Sequence, residues 1–150
     1  AFHCRSSPPL FVGFSLGTVP ATYLSNHYGA PLLSICGAGR GEDMIWSSPA
    51  ATCIRRAARA RGYDWCHYQS ALASVNPAEN LTNLDTRSRF IIAARDSIVP
   101  EKVRRDWMGA LAESRPDIEV LLTRSGHVGT ILGSRRVQKN WYAACGDDAS

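Results

Sequence analysis

The sequence has no run of about eighteen consecutive apolar residues, so nothing in it reads as a membrane-spanning helix. No basic stretch leads into an apolar one near its start, so no secretory signal is legible. Its five cysteines include no C-x-x-C pair, and their number is odd. A disulfide framework or a zinc site is therefore not indicated. The same cysteine usage suits a reducing compartment and sets the expectation of a cytoplasmic protein. Internal repeats and low-complexity tracts are also missing. The chain begins Ala1-Phe2-His3-Cys4 without a methionine, and a processed chain or a fragment is expected.

What remains is an ordinary globular composition. The 150 residues suffice for one domain with a core, and the hydrophobic fraction of 45% argues against disorder. Formal net charge is +4. Much of the excess lies in Arg55, Arg56, Arg59 and Arg61. On a helix these four spread over more than one face, which makes a poor groove-reading surface. A solvated helix is expected there, and no nucleic-acid partner. A basic module binding DNA or RNA would show a steep salt dependence.

Apolar periodicity gives the architecture. Pro9-Leu10-Phe11-Val12-Gly13 is a short buried-strand pattern. Leu16, Val19, Tyr23, Leu24 and His27 follow at helical spacing, with Gly29 and Pro31 as a stop. Leu32-Leu33-Ser34-Ile35-Cys36 and Phe90-Ile91-Ile92-Ala93-Ala94 are nearly continuous apolar runs, suited to strands covered on both faces. Cys36 reads as a small core residue. Between them the pattern is helical and irregular. Ser48-Pro49 begins one helix that Gly62 ends, Trp65, Tyr68 and Leu72 mark a second, and Asn76-Pro77 opens a short third. Asn80-Leu81-Thr82 fits a glycosylation triplet but carries little weight alone. Pro100 opens a helix with Val103, Trp107, Ala110 and Leu111 on one face. Ile118-Glu119-Val120-Leu121-Leu122 is the last strand, and Ser134 begins a final helix carrying Val137, Trp141 and Cys145. Strands alternating with helices predict an α/β fold on a mostly parallel sheet with flanking helices. Four strands make a thin sheet, so further strands are expected upstream.

Chemistry concentrates at three places. Gly13-Phe14-Ser15-Leu16-Gly17 matches G-x-S-x-G between a predicted strand and a predicted helix. The sharp turn there would expose the Ser15 hydroxyl near the positive end of the helix dipole, and the Leu16 N–H could donate to an oxyanion. Glycines at 13 and 17 would let neighbouring backbone approach. Ser15 could instead merely cap the helix. A nucleophilic serine needs a base. Of the four histidines, His3 is at the chain start, His27 lies late in the helix after Ser15, and His67 is in the irregular segment. His127 sits in Ser125-Gly126-His127-Val128-Gly129, a flexible loop after the last strand. Parallel strands all end at one sheet edge, so His127 and Ser15 share it. Asp96 follows the third strand at that same edge and could orient the imidazole. It could also cap the turn before Pro100. Asp85 precedes that strand, and Asp64 lies among the helices.

Val12-Gly13-Phe14-Ser15-Leu16-Gly17-Thr18, Arg95-Asp96-Ser97-Ile98-Val99-Pro100 and Ser125-Gly126-His127 together resemble three signature stretches of the α/β-hydrolase superfamily, in its chain order Ser, Asp, His. The resemblance implies a serine hydrolase cleaving an ester or related acyl bond, with catalytic Ser15, Asp96 and His127 and an oxyanion donor at Leu16. It implies no metal and no organic cofactor, and a small-molecule acyl substrate. It further implies one partial domain over residues 1–150, with 38–86 as a helical cap-like insert. Trp46, Trp65 and Tyr68 could then line an acyl or alcohol pocket, or be helix core. In the superfamily the first strands and a loop with a second oxyanion donor precede the serine turn, and only about a dozen residues do so here. The alternative expectation is a non-catalytic binding module of the same fold.

Overall fold

The computed structural model describes residues 9–146. His3 and Cys4 lie outside the described residues. Four parallel strands form one sheet in the sequential order β1 (Phe11–Phe14), β2 (Leu32–Ile35), β3 (Arg89–Ala93), β4 (Glu119–Thr123). Register pairs Val12 with Leu33, Ile35 with Ile91, and Ile91 with Leu121.

The two-residue side-chain period sorts the core into two layers. On one face Leu32, Phe90 and Ile92 pack with Ala21 of α1 (Thr18–Tyr28) and with Trp107 and Leu111 of α5 (Glu101–Ser114). On the other, Leu33, Ile35, Ile91 and Ala93 pack with Trp141 and Cys145 of α7 (Arg135–Gly146). Every residue of β2 is buried, which is why its sequence lacks polar alternation. Cys36 joins the second layer as expected. The α1 helix stops where Gly29 takes a φ of +60°, a left-handed cap that glycine adopts without strain.

Between β2 and β3 the chain forms α2 (Gly41–Ser47), α3 (Thr52–Ala60) and α4 (Trp65–Leu72), with 3₁₀ turns at Pro49–Ala51 and Pro77–Glu79. The Ser48 side chain accepts from the Ala50 N–H with Pro49 at the first position, as the sequence predicts. Arg55 faces the protein: its Nη1 donates to the carbonyls of Ile45 and Ser48, closing the end of α2. In the glycosylation triplet, Asn80 is buried and its Nδ2 donates to the carbonyls of Ser74 and Asn76.

The sharp turn expected between β1 and α1 is a 3₁₀ turn, Ser15–Gly17. One expectation is corrected: His127 does not lie in a flexible loop but is the first residue of a further helix, α6 (His127–Gly133). Among the described residues no helix is long and apolar enough to cross a membrane.

Candidate active site

Ser15 stands where the strand turns into helix. Its φ is +50°, a left-handed conformation that costs a non-glycine residue about 1–2 kcal/mol. Its neighbours enforce that conformation. Thr18 Oγ1 donates to the Ser15 carbonyl at 2.7 Å. A β-carbon at Gly13 would come 2.6 Å from Thr18 Cα and 2.8 Å from the Gly17 carbonyl oxygen. Glycine at 13 thus lets the turn fold back onto its own strand. Gly17 is different, since a β-carbon there meets nothing within 4 Å. The expectation that both glycines make room holds for Gly13 alone.

The strand ends bring three distant segments together. His127 Nε2 lies 3.0 Å from Ser15 Oγ, and His127 Nδ1 lies 2.7 Å from Asp96 Oδ2. His127 and Asp96 are both buried, so their interaction is little screened. Asp96 fills both roles the sequence left open. One carboxylate oxygen faces the imidazole, and the other accepts from the N–H groups of Ile98 and Val99, each at 2.8 Å. That second oxygen fixes the carboxylate plane. The other acids and histidines are elsewhere: Asp64 and His67 form the capping box of α4, Asp85 pairs with Arg87, and His27 is exposed near the end of α1.

Further residues hold this arrangement, and sequence reasoning passed over their roles. Arg104 of α5 donates to the carbonyls of Asp96, Val99 and Ala94, anchoring the turn that carries Asp96. An arginine at that spacing reads as solvated surface, and no pattern signals three backbone contacts. Cys36 has a φ of +56° and donates its thiol to the His127 carbonyl oxygen at 3.6 Å. Burial first, and the Asp96 charge second, push the thiol up to about 11. A sulfur of Cys36, a nitrogen of His127 and an oxygen of Asp96 lie within 4.8 Å of one another. The trio does not suit a metal ion, which needs a thiolate and an unengaged imidazole nitrogen. Here the thiol holds its proton, and both ring nitrogens face partners.

A cavity of about 310 Å³ adjoins Ser15 and is walled by Leu16, Val19 and Val99 on the sheet side and by residues of α2, α3 and α4 on the other. Tyr68 is in that wall. Trp46 and Trp65, singled out with it from sequence, are not. Trp46 packs its ring against Tyr68 with centroids 5.1 Å apart, and Trp65 Nε1 donates to Asp43. Helical spacing brought the three rings to neighbouring helices but could not say which faced the cavity.

No protein-family model and no curated protein sequence matches the chain. Solved structures do. The chain is similar to TT1662 from Thermus thermophilus, with 19% identity, TM-score 0.56, and coverage of 92% of this chain and 54% of that one. It is similar to the Pyrococcus furiosus esterase Pf2001, with 17% identity, TM-score 0.55, and coverage of 91% and 51%. BpoC of Mycobacterium tuberculosis H37Rv, a candidate non-heme bromoperoxidase, gives 16% identity, TM-score 0.56, and coverage of 92% and 68%. The chain thus spans about half the length of the first two. The shared architecture is that of the α/β-hydrolase fold, with part of its sheet, as the sequence motifs implied.

Proposed function

Starting from an α/β-hydrolase fold whose strand ends gather Ser15, His127 and Asp96, we propose that the protein is a serine hydrolase cleaving an ester or related acyl bond. One observation carries the reading: the continuous hydrogen-bonded series from Ser15 Oγ through both nitrogens of His127 to Asp96, built from three segments, 112 residues separating Ser15 from His127 and 31 separating His127 from Asp96. A serine used only as a helix cap has no reason to face an imidazole that a buried carboxylate already orients.

In this reading Ser15 Oγ attacks the acyl carbon and its proton passes to His127 Nε2. Negative charge develops on the former carbonyl oxygen. The Leu16 N–H donates to it, at the start of the turn that leads into α1. Asp96 holds the Nδ1–H tautomer and stabilises the imidazolium. Collapse breaks the bond to the leaving group, which takes the proton from His127, and leaves an acyl-Ser15 ester. Water, deprotonated by the same imidazole, then attacks that ester and releases the acid and the free serine. The acyl substrate is a small molecule, and residues 38–86 act as a cap over it.

The test is labelling and turnover. The intact protein should react with a fluorophosphonate at Ser15 and cleave p-nitrophenyl acetate. Ser15→Ala should abolish labelling and lower kcat by about 10⁶-fold. Ester cleavage and labelling that persist in Ser15→Ala would end the proposal.

A further inference from the structure

The cavity beside Ser15 has an unusual property for a surface-connected site in a chain with 20% charged residues: none of its lining side chains is charged. Four lining residues carry hydroxyls, namely Ser15, Thr18, Ser48 and Tyr68. Three of these hydroxyls already face protein partners. Ser15 Oγ meets His127, Thr18 Oγ1 donates to the Ser15 carbonyl, and Ser48 Oγ donates to the Ile98 carbonyl at 2.6 Å while accepting from Ala50. The rest of the wall is hydrocarbon and thioether, including Met44, Ile45, Ile54 and Leu72.

We infer that this cavity takes an uncharged hydrocarbon group, so that the substrate is an ester or thioester whose acyl or alkoxy chain is aliphatic and neutral. The inference rests on Ser15 being the nucleophile and adds what it attacks. A carboxylate or ammonium placed here would be stripped of water and find no countercharge. A methylene instead exchanges water for the apolar wall, which is worth about fourfold in kcat/KM for each group that fits. The volume sets a limit. At about 310 Å³ it stands near the lower end of the roughly 300–1,000 Å³ range of small-molecule sites. Short and medium chains fit it and long ones do not.

Ile54 is the residue through which to test this. It belongs to α3, lines the cavity, and is itself 47% exposed, so substitution there does not disturb the buried core. The experiment measures kcat/KM of the intact protein for p-nitrophenyl esters from acetate to dodecanoate, for a matched series of acetates with lengthening alkoxy groups, and for the p-nitrophenyl monoester of succinic acid against the butyrate ester. In one of the two series the rate should climb by about fourfold per methylene and then break off. The succinate ester should be slower than butyrate by about a hundredfold or more. Ile54→Trp should move the break to shorter chains and Ile54→Ala to longer ones, opposite shifts that general damage to the fold cannot produce. Two flat series, a succinate ester cleaved as fast as butyrate, or a break that both variants move the same way would overturn the inference. If Ser15 still labels with fluorophosphonate in that event, the nucleophile reading survives. Absence of labelling would instead remove the reading on which the inference rests.

Discussion

Thr18 and Gly37 touch so closely that position 37 has no room for a side chain: a β-carbon there would come 2.5 Å from Thr18 Oγ1 and 2.8 Å from Thr18 Cβ. This contact joins the segment just after β2 to the turn that carries Ser15, because the same Thr18 hydroxyl holds the Ser15 carbonyl. Gly37→Ala must push Thr18 away or strain β2. Overpacking of this size costs about 1–3 kcal/mol. The loss should be larger in turnover than stability alone explains, since displacing Thr18 moves Ser15. Adding Thr18→Gly opens the space, so the double variant should recover part of the stability, with a coupling of about 1 kcal/mol or more. Urea denaturation of the two single variants and the double variant measures it. Purely additive effects would show that the contact does not constrain the turn.

The two oxygens of Asp96 have separable duties, and two substitutions separate them. Asp96→Asn keeps an oxygen for the Ile98 and Val99 N–H groups but turns an amide toward His127, which favours the wrong tautomer. It should retain stability while kcat falls by about 10⁴-fold. Asp96→Ala also leaves those two N–H groups without their acceptor, at a further cost of about 1–3 kcal/mol. Ester turnover and urea midpoints together distinguish the outcomes. Equal stability of the two variants would mean that the turn is held by Arg104 alone.

Burial and the neighbouring Asp96 hold the Cys36 thiol protonated up to about 11, against 9.0 in an unfolded chain. Between these values the unfolded chain loses its proton while the native protein keeps it, so native stability declines across that window. The contribution is complete below about pH 9 and disappears as the pH rises toward 11, a change on the order of 2 kcal/mol. Cys36→Ala has no such group. The stability difference between the two proteins, followed by urea denaturation from pH 8 to 11, should narrow as pH rises. At neutral pH the exposed Cys53 and Cys66 should react with iodoacetamide while Cys36 does not. A difference that stays constant with pH would contradict the shift.

The parts of the fold that announced themselves in the sequence are those where burial is complete. The residue runs 32–36 and 90–94 are nearly continuously apolar, with Ser34 the one polar residue, because helices cover both faces of β2 and β3. The parallel sheet then fixed the neighbourhood of Ser15, Asp96 and His127, since strand ends share an edge. Helix α6 was hidden for the opposite reason. Gly129 and Gly133 lower its intrinsic propensity, and it is tied down by tertiary contacts such as the one between Thr130 and Thr123 hydroxyls at 2.5 Å. The roles of Arg104 and Cys36 were equally illegible. Each acts by donating to backbone carbonyls, those of the preceding turn for Arg104 and that of the distant His127 for Cys36, and carbonyl position leaves no trace in residue type.

Ser15 combines the proposed nucleophilic hydroxyl with an unfavourable backbone, and the two can be tested apart. Its φ of +50° is easy for glycine and strained for any residue with a β-carbon. Ser15→Ala removes the hydroxyl and keeps the strain, so stability should stay near that of the parent. Ser15→Gly removes both. Relief of a left-handed conformation gains about 1–2 kcal/mol, offset by about 0.4–1 kcal/mol from the greater freedom of glycine in the unfolded chain. The glycine variant should therefore be the more stable of the two by a few tenths to about 1 kcal/mol, although neither hydrolyses esters. Parallel urea titrations decide the matter. A glycine variant less stable than the alanine one would mean that the turn holds Ser15 without strain, and that its conformation comes at no cost to the fold.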